Sequence, residues 1–167
     1  MPLAALLGAA VWCDIRTGRI PNRLLVAGLL AGALLSYLPD GLGWVAASLG
    51  FLTGLAVYLP FYLMRVLGAG DVKLLATVGI FVGYPGILIV AVFSALAGGV
   101  LALALAAYTG RMREMVAQVH QTVVSQFIQM HSSQRMQPFG VATHSVQMPY
   151  ALAIAIGTLA HAAWPRA

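Results

Sequence analysis

Apolar runs separated by short polar breaks organise this chain. Taking about 20 apolar residues as one membrane crossing, with shorter helices allowed where the bilayer thins, the pattern predicts about six helical segments. They are Pro2 to Cys13, Leu24 to Leu38, Trp44 to Met64, Val72 to Val82, Gly86 to Tyr108 and Pro149 to Trp164. The first and fourth are short, and the first either has a start that is cut back or ends with Asp14 below the membrane surface. From Arg111 to about Met136 the pattern changes. Met112, Met115, Val116, Val119, Val123, Phe127 and Met130 recur at helical spacing among Gln, Ser, Arg and His. One greasy stripe of this kind predicts an amphipathic helix on the cytoplasmic membrane surface, leading through Pro138-Phe139-Gly140 into the last crossing.

Composition narrows the class. The chain has 167 residues, of which 61% are hydrophobic and only 8% charged, and its mean hydropathy is +0.92. These values lie outside the range of soluble globular domains and predict an all-α, polytopic protein in contact with the lipid bilayer. No internal repeat or low-complexity linker divides it, so 1–167 is expected to be a single membrane-embedded domain with an amphipathic connector at about 110–148. The N-terminal run lacks a basic n-region and a small-residue cleavage site, and so reads as a first membrane helix rather than a signal peptide. A net charge of +5 comes from scattered basic residues with no Lys/Arg–aromatic cluster, which argues against nucleic acid.

The basic residues instead report orientation. With the loop holding Arg16, Arg19 and Arg23 in the cytoplasm, alternate loops put Arg65, Lys73, Arg111, Arg113 and Arg135 on the same side. Of nine basic residues, only Arg166 then falls outside. The turns Pro39-Asp40-Gly41 and Tyr84-Pro85-Gly86 carry no Lys or Arg. Asp14 and Asp71 are thereby predicted at one, cytoplasmic, face.

Those two aspartates are the candidate chemistry, because the chain has only four acidic residues and a carboxylate beside an apolar helix costs free energy. Each has a plain structural alternative. Asp71 can cap a helix start for about 1 kcal/mol, and Asp14 can pair with Arg16 or Arg19 at a helix end. Around them, Gly68 and Gly70 permit backbone conformations or close approaches that a side chain would block. Ile20-Pro21-Asn22 reads as a turn that starts a helix, with Asn22 free to bond local backbone. Cys13, the single cysteine, allows neither an internal disulfide nor a CxxC zinc site. The four histidines, His120, His131, His144 and His161, have no ligand spacing, so no metal is expected.

Asp14 with Ile20-Pro21-Asn22 downstream, followed by Gly68-Ala69-Gly70-Asp71-Val72-Lys73, resembles the two signature motifs of the type IV prepilin peptidase family, the GxGD aspartyl proteases of the bacterial inner membrane. Small size and Met148-Pro149-Tyr150-Ala151-Leu152-Ala153-Ile154 at the start of the last helix most resemble the CpaA/TadV branch serving Tad (Flp) pili. The resemblance runs from Asp14 to Gly157 and implies that Asp14 and Asp71 are a catalytic pair. It implies further that Pro21, Asn22, Gly68, Gly70 and Lys73 support the motifs or the substrate, and that prepilins or pseudopilins are the substrates, cleaved on the cytoplasmic side. Two close carboxylates in a poorly solvated site share a proton, so one can activate water while the other donates to the scissile carbonyl. Lys73 matches the basic position of the family pattern; it can also snorkel to the headgroups, or, with Arg65, pair with a substrate glutamate. Larger members carry paired CxxC motifs and N-methylate the new terminus. With one cysteine, this chain is expected to cleave without methylating, and no S-adenosylmethionine or other cofactor is expected.

Other functions fit parts of the pattern. Two acids in a membrane could relay protons in a small transporter or channel, although they are predicted at one face rather than along a path. A presenilin-type protease would carry Tyr-Asp and Pro-Ala-Leu motifs, whereas here Asp14 follows Cys13 and Pro149 precedes Tyr150. A noncatalytic pilus assembly factor is the third alternative.

Overall fold

The computed structural model describes residues 2–39, 41–64, 67–108, 110 and 150–163. Arg65, Asp40, the amphipathic segment from Arg111, His120, His131, His144 and Met148-Pro149 lie outside them. Six helices stand among the described residues: α1 (Pro2–Thr17), α2 (Asn22–Ser36), α3 (Trp44–Leu63), α4 (Ala69–Val82), α5 (Gly86–Tyr108) and α6 (Tyr150–Ala163). Residues 1–99 and 149–167 form one compact unit, and 100–148 form another, to which the last turns of α5 belong.

The helix limits follow the apolar runs with two informative differences. The first helix does not stop at Cys13 but continues to Thr17, because its stop signal is Gly18, not Asp14. Gly18 takes φ +60, a left-handed conformation that glycine adopts without a Cβ penalty, and its N–H donates to the Asp14 carbonyl at 2.8 Å. Asp14 therefore sits inside the last turn. The fourth helix begins at Ala69, ahead of the apolar run, so Asp71 lies in its first turn.

α4 is the centre of the first unit. Every residue from Leu74 to Ile80 is buried, and α2, α3 and α6 pack around it. A helix that is apolar and covered on all sides belongs in a core. Its closest neighbour is α3: a Cβ at Gly50 would strike the Gly79 carbonyl oxygen, and one at Gly79 would strike that of Gly50. One turn further along α3, a Cβ at Gly54 would come within 2.9 Å of the Leu75 carbonyl oxygen. Bare backbone against bare backbone is how helices gain dispersion contact where no hydrophobic force separates core from solvent.

Hydroxyls buried in this apolar interior are satisfied within their own helices. Ser36, Thr77, Ser94 and Thr158 donate to the carbonyls of Gly32, Lys73, Val90 and Ile154 at 2.7–2.8 Å. The outward faces are apolar as well: Leu34 is 70% exposed, Leu52 56% and Leu96 61%. Among the described residues, α3 and α5 are long and apolar enough to cross a membrane, while α2 and α6 are apolar but shorter.

The α3–α4 contact makes a stability prediction. Gly50→Ala and Gly79→Ala each cost about 1–3 kcal/mol through overpacking. Gly8→Ala, where an added Cβ meets nothing within 4 Å, is neutral or stabilises by up to about 1 kcal/mol. Thermal unfolding in detergent micelles measures both.

Candidate active site

The C-terminal end of α1 and the N-terminal ends of α2, α4 and α6 meet at one end of the unit. Three contacts tie them together. The Ala151 N–H, in the first turn of α6, donates to Asp14 Oδ2 at 3.1 Å across 137 residues of sequence. The Lys73 ammonium of α4 donates to Asn22 Oδ1 of α2 at 3.2 Å. Ile20, in the connection between α1 and α2, packs on Gly70 of α4, where an added Cβ would meet its side chain at 3.5 Å.

Each aspartate is thus held by a backbone N–H of a helix start, where the unpaired donors favour an acceptor. Asp71 Oδ2 accepts from Gly68 N at 3.2 Å. It stands three residues into the turn rather than at the cap position, which Gly68 occupies. Asp14 turns to α6 and not to the neighbouring arginine: the Arg16 guanidinium lies over the Trp12 ring, 4.4 Å from its centroid. Both carboxylates are partly buried, and they are near enough to feel each other. The charge of Asp14 reaches Asp71, whose carboxylate also accepts the Gly68 N–H.

The supporting residues divide. Pro21 is the cap of α2, in extended conformation at φ −67 and ψ 131. Asn22 does not bond local backbone; its side chain accepts from Lys73, so the two sequence motifs are joined directly. Gly68 has an ordinary φ of −74, yet a Cβ there would come within 3.1 Å of Asp71 Oδ2, so its bareness leaves that carboxylate open. Gly70 has room for a methyl group. The cavity beside Lys73, about 260 Å³ between α2, α3 and α4, is lined by Leu25, Leu29, Phe51 and Leu55 and does not include the carboxylates.

Three further groups stand at this end: Tyr58, which no sequence motif marks, and Tyr150 and Ala151, which belong to the run that opens the last helix but were given no place in the site. Tyr58 of α3 is 2% exposed, and its hydroxyl lies 3.4 Å from that of Tyr150. Both phenols are within electrostatic reach of Asp71. Ala151 contributes only its N–H. α3 carries two tyrosines, Tyr58 and Tyr62, and nothing in the sequence distinguishes the buried one from the exposed one. Among the described residues no three His, Cys, Asp or Glu side chains gather to hold a metal ion.

Comparison with known proteins identifies the family. Residues 1–103 match the type IV leader peptidase family. The chain belongs to that family. The match takes in Asp14, Pro21, Asn22, Gly68, Gly70, Asp71 and Lys73, while Tyr150 and Ala151 lie beyond it. Two prepilin leader peptidase/N-methyltransferases, from Aeromonas salmonicida and its strain A449, are each 32% identical over 110 residues, 62% of this chain. The aligned region spans 38% of the length of these curated relatives. No solved structure matches the chain.

Proposed function

We propose that this protein is a membrane aspartyl endopeptidase that removes the leader peptide of type IV prepilins of the Tad/Flp kind. Its six helices cross the bacterial inner membrane as one domain, and the site faces the cytoplasm. The observation that supports this reading is that Asp14 and Asp71 stand at one end of the helix unit, each held by a backbone N–H, with the charge of Asp14 within reach of Asp71.

Two carboxylates in a half-buried site share one proton more readily than they both ionise. The ionised member takes a proton from water as the water attacks the scissile carbonyl. The protonated member donates to the carbonyl oxygen. The roles reverse when the tetrahedral intermediate collapses and the leaving amine takes up a proton. Backbone N–H groups at helix starts hold the carboxylates without competing for their second oxygens, so each keeps lone pairs for water or the shared proton. The shared proton belongs to the pair rather than to either residue, and the two aspartates exchange roles in the course of the reaction.

The basic residues at this end, Arg16, Arg19, Arg23 and Lys73, support a cytoplasmic orientation. Lys73 joins α4 to α2 and is a positioning group in this reading. With a single cysteine, the paired CxxC motifs of methylating members cannot be built, so cleavage proceeds without N-methylation.

Co-expression with a Tad-type prepilin tests the proposal. The parent chain removes the leader, and the intact mass of the mature pilin shows a free, unmethylated amine. Asp14→Asn and Asp71→Asn, still in the membrane, each lose at least about 100-fold in rate, as expected when one member of an acid–base pair is removed. Full processing by either variant contradicts the dyad. Aspartate-dependent ion flux without processing points to a transporter, and pilus defects without loss of cleavage point to an assembly factor.

A further inference from the structure

The contact that holds Asp14 depends on the first turn of α6, and the structure fixes that turn through one side chain. Tyr150 is the first residue of α6. Its ring lies against the bare backbone of α5, so closely that a Cβ at Gly98 would come within 2.6 Å of Tyr150 Cε2. On its other side it meets the Tyr58 ring edge-on, with centroids 6.1 Å apart and planes at 66°. Tyr58 is itself anchored: its ring packs against Phe61 at 6.3 Å, and its hydroxyl donates to the Ala91 carbonyl of α5 at 3.5 Å. Tyr150 is therefore seated between α3 and α5, and the next N–H along the chain is the one that binds Asp14.

A one-residue slip of a helix start rotates its side chains by about 100° and moves them about 1.5 Å along the axis. Either displacement removes a hydrogen bond of 3.1 Å from its working range. Asp14 lies on α1, whose other neighbours include α2, so losing the Ala151 donor frees its carboxylate to turn away from Asp71 while the helices stay packed.

We propose that Tyr150, seated on Gly98 and Tyr58, is a positioning residue for Asp14: it sets the first turn of α6 so that the Ala151 N–H holds the Asp14 carboxylate toward Asp71. The inference rests on Asp14 and Asp71 being the reacting pair. It is the ring, through its seat on Gly98 and Tyr58, that does the positioning, and it acts on the chemical step rather than on substrate binding.

The test uses the full chain reconstituted in phospholipid vesicles with a Tad-type prepilin, and steady-state cleavage kinetics. Tyr150→Ala lowers kcat by about tenfold or more with KM within about twofold, the pattern of a lost transition-state interaction. Tyr150→Phe, which keeps the ring, restores kcat to within about threefold. Replacing the Ala151 amide by an ester, with every side chain in place, deletes only the N–H donor and lowers kcat like Tyr150→Ala. The ester variant keeps the test independent of whether Tyr150→Ala folds. A parental kcat in the ester variant overturns the proposal, as does a Tyr150→Ala effect confined to KM, or a Tyr150→Phe variant as impaired as Tyr150→Ala. If Asp14→Asn still cleaves, the dyad itself fails and the inference with it. If Asp14→Asn is inactive and the ester variant is not, only the inference fails.

Discussion

The backbone contact between α3 and α4 is the constraint on which the rest of the structure depends. Gly50 and Gly79 bring the two helices together with no side chain between them, and this seats α4 in the middle of its unit, covered by α2, α3 and α6. A buried apolar helix can afford polar chemistry only at its ends. Asp71 and Lys73 are at one such end, and the close packing of the turns behind them leaves little freedom in where they point.

From that end the site is assembled by long-range polar contacts rather than by local motif geometry. Lys73 reaches α2 through Asn22, and Asp14 reaches α6 through Ala151. The Tyr58–Tyr150 pair ties α3 to α6 beside them. Each of these contacts uses a helix terminus, where unpaired backbone groups or a short cap leave room for a partner. Within this frame the two carboxylates work as one pair, and the shared proton of the proposed mechanism belongs to the pair.

Much of the fold was legible from apolar run length alone. Gly86 to Tyr108 stands as one helix with the limits read from the sequence. The other limits moved by a few residues, for identifiable reasons: Ile15, Arg16 and Thr17 are exposed and cost nothing on the outer face of α1, so the helix ran on until Gly18. The prominence of Asp14 and Asp71 was legible because a carboxylate next to an apolar run demands a reason. Their partners were not, since no periodicity connects Asp14 with Ala151, and the Ala151 side chain takes no part in the bond. The glycine argument was half legible: Gly68 does leave Asp71 open, whereas Gly70 only meets Ile20 at ordinary contact distance. The glycines that govern packing, Gly50 and Gly79, lie inside apolar runs, where sequence offers no sign of which backbone they face.

The central claim is that Asp14 and Asp71 occupy one site, and cross-linking in native membranes tests it without any assumption about substrate. In a Cys13→Ala background, cysteines replace Asp14 and Asp71 and are treated with a short bifunctional thiol reagent. The expected result is an intramolecular cross-link that joins α1 to α4 and persists at high dilution of the protein in lipid. Two cysteines that each react singly with the reagent yet never bridge would contradict the account.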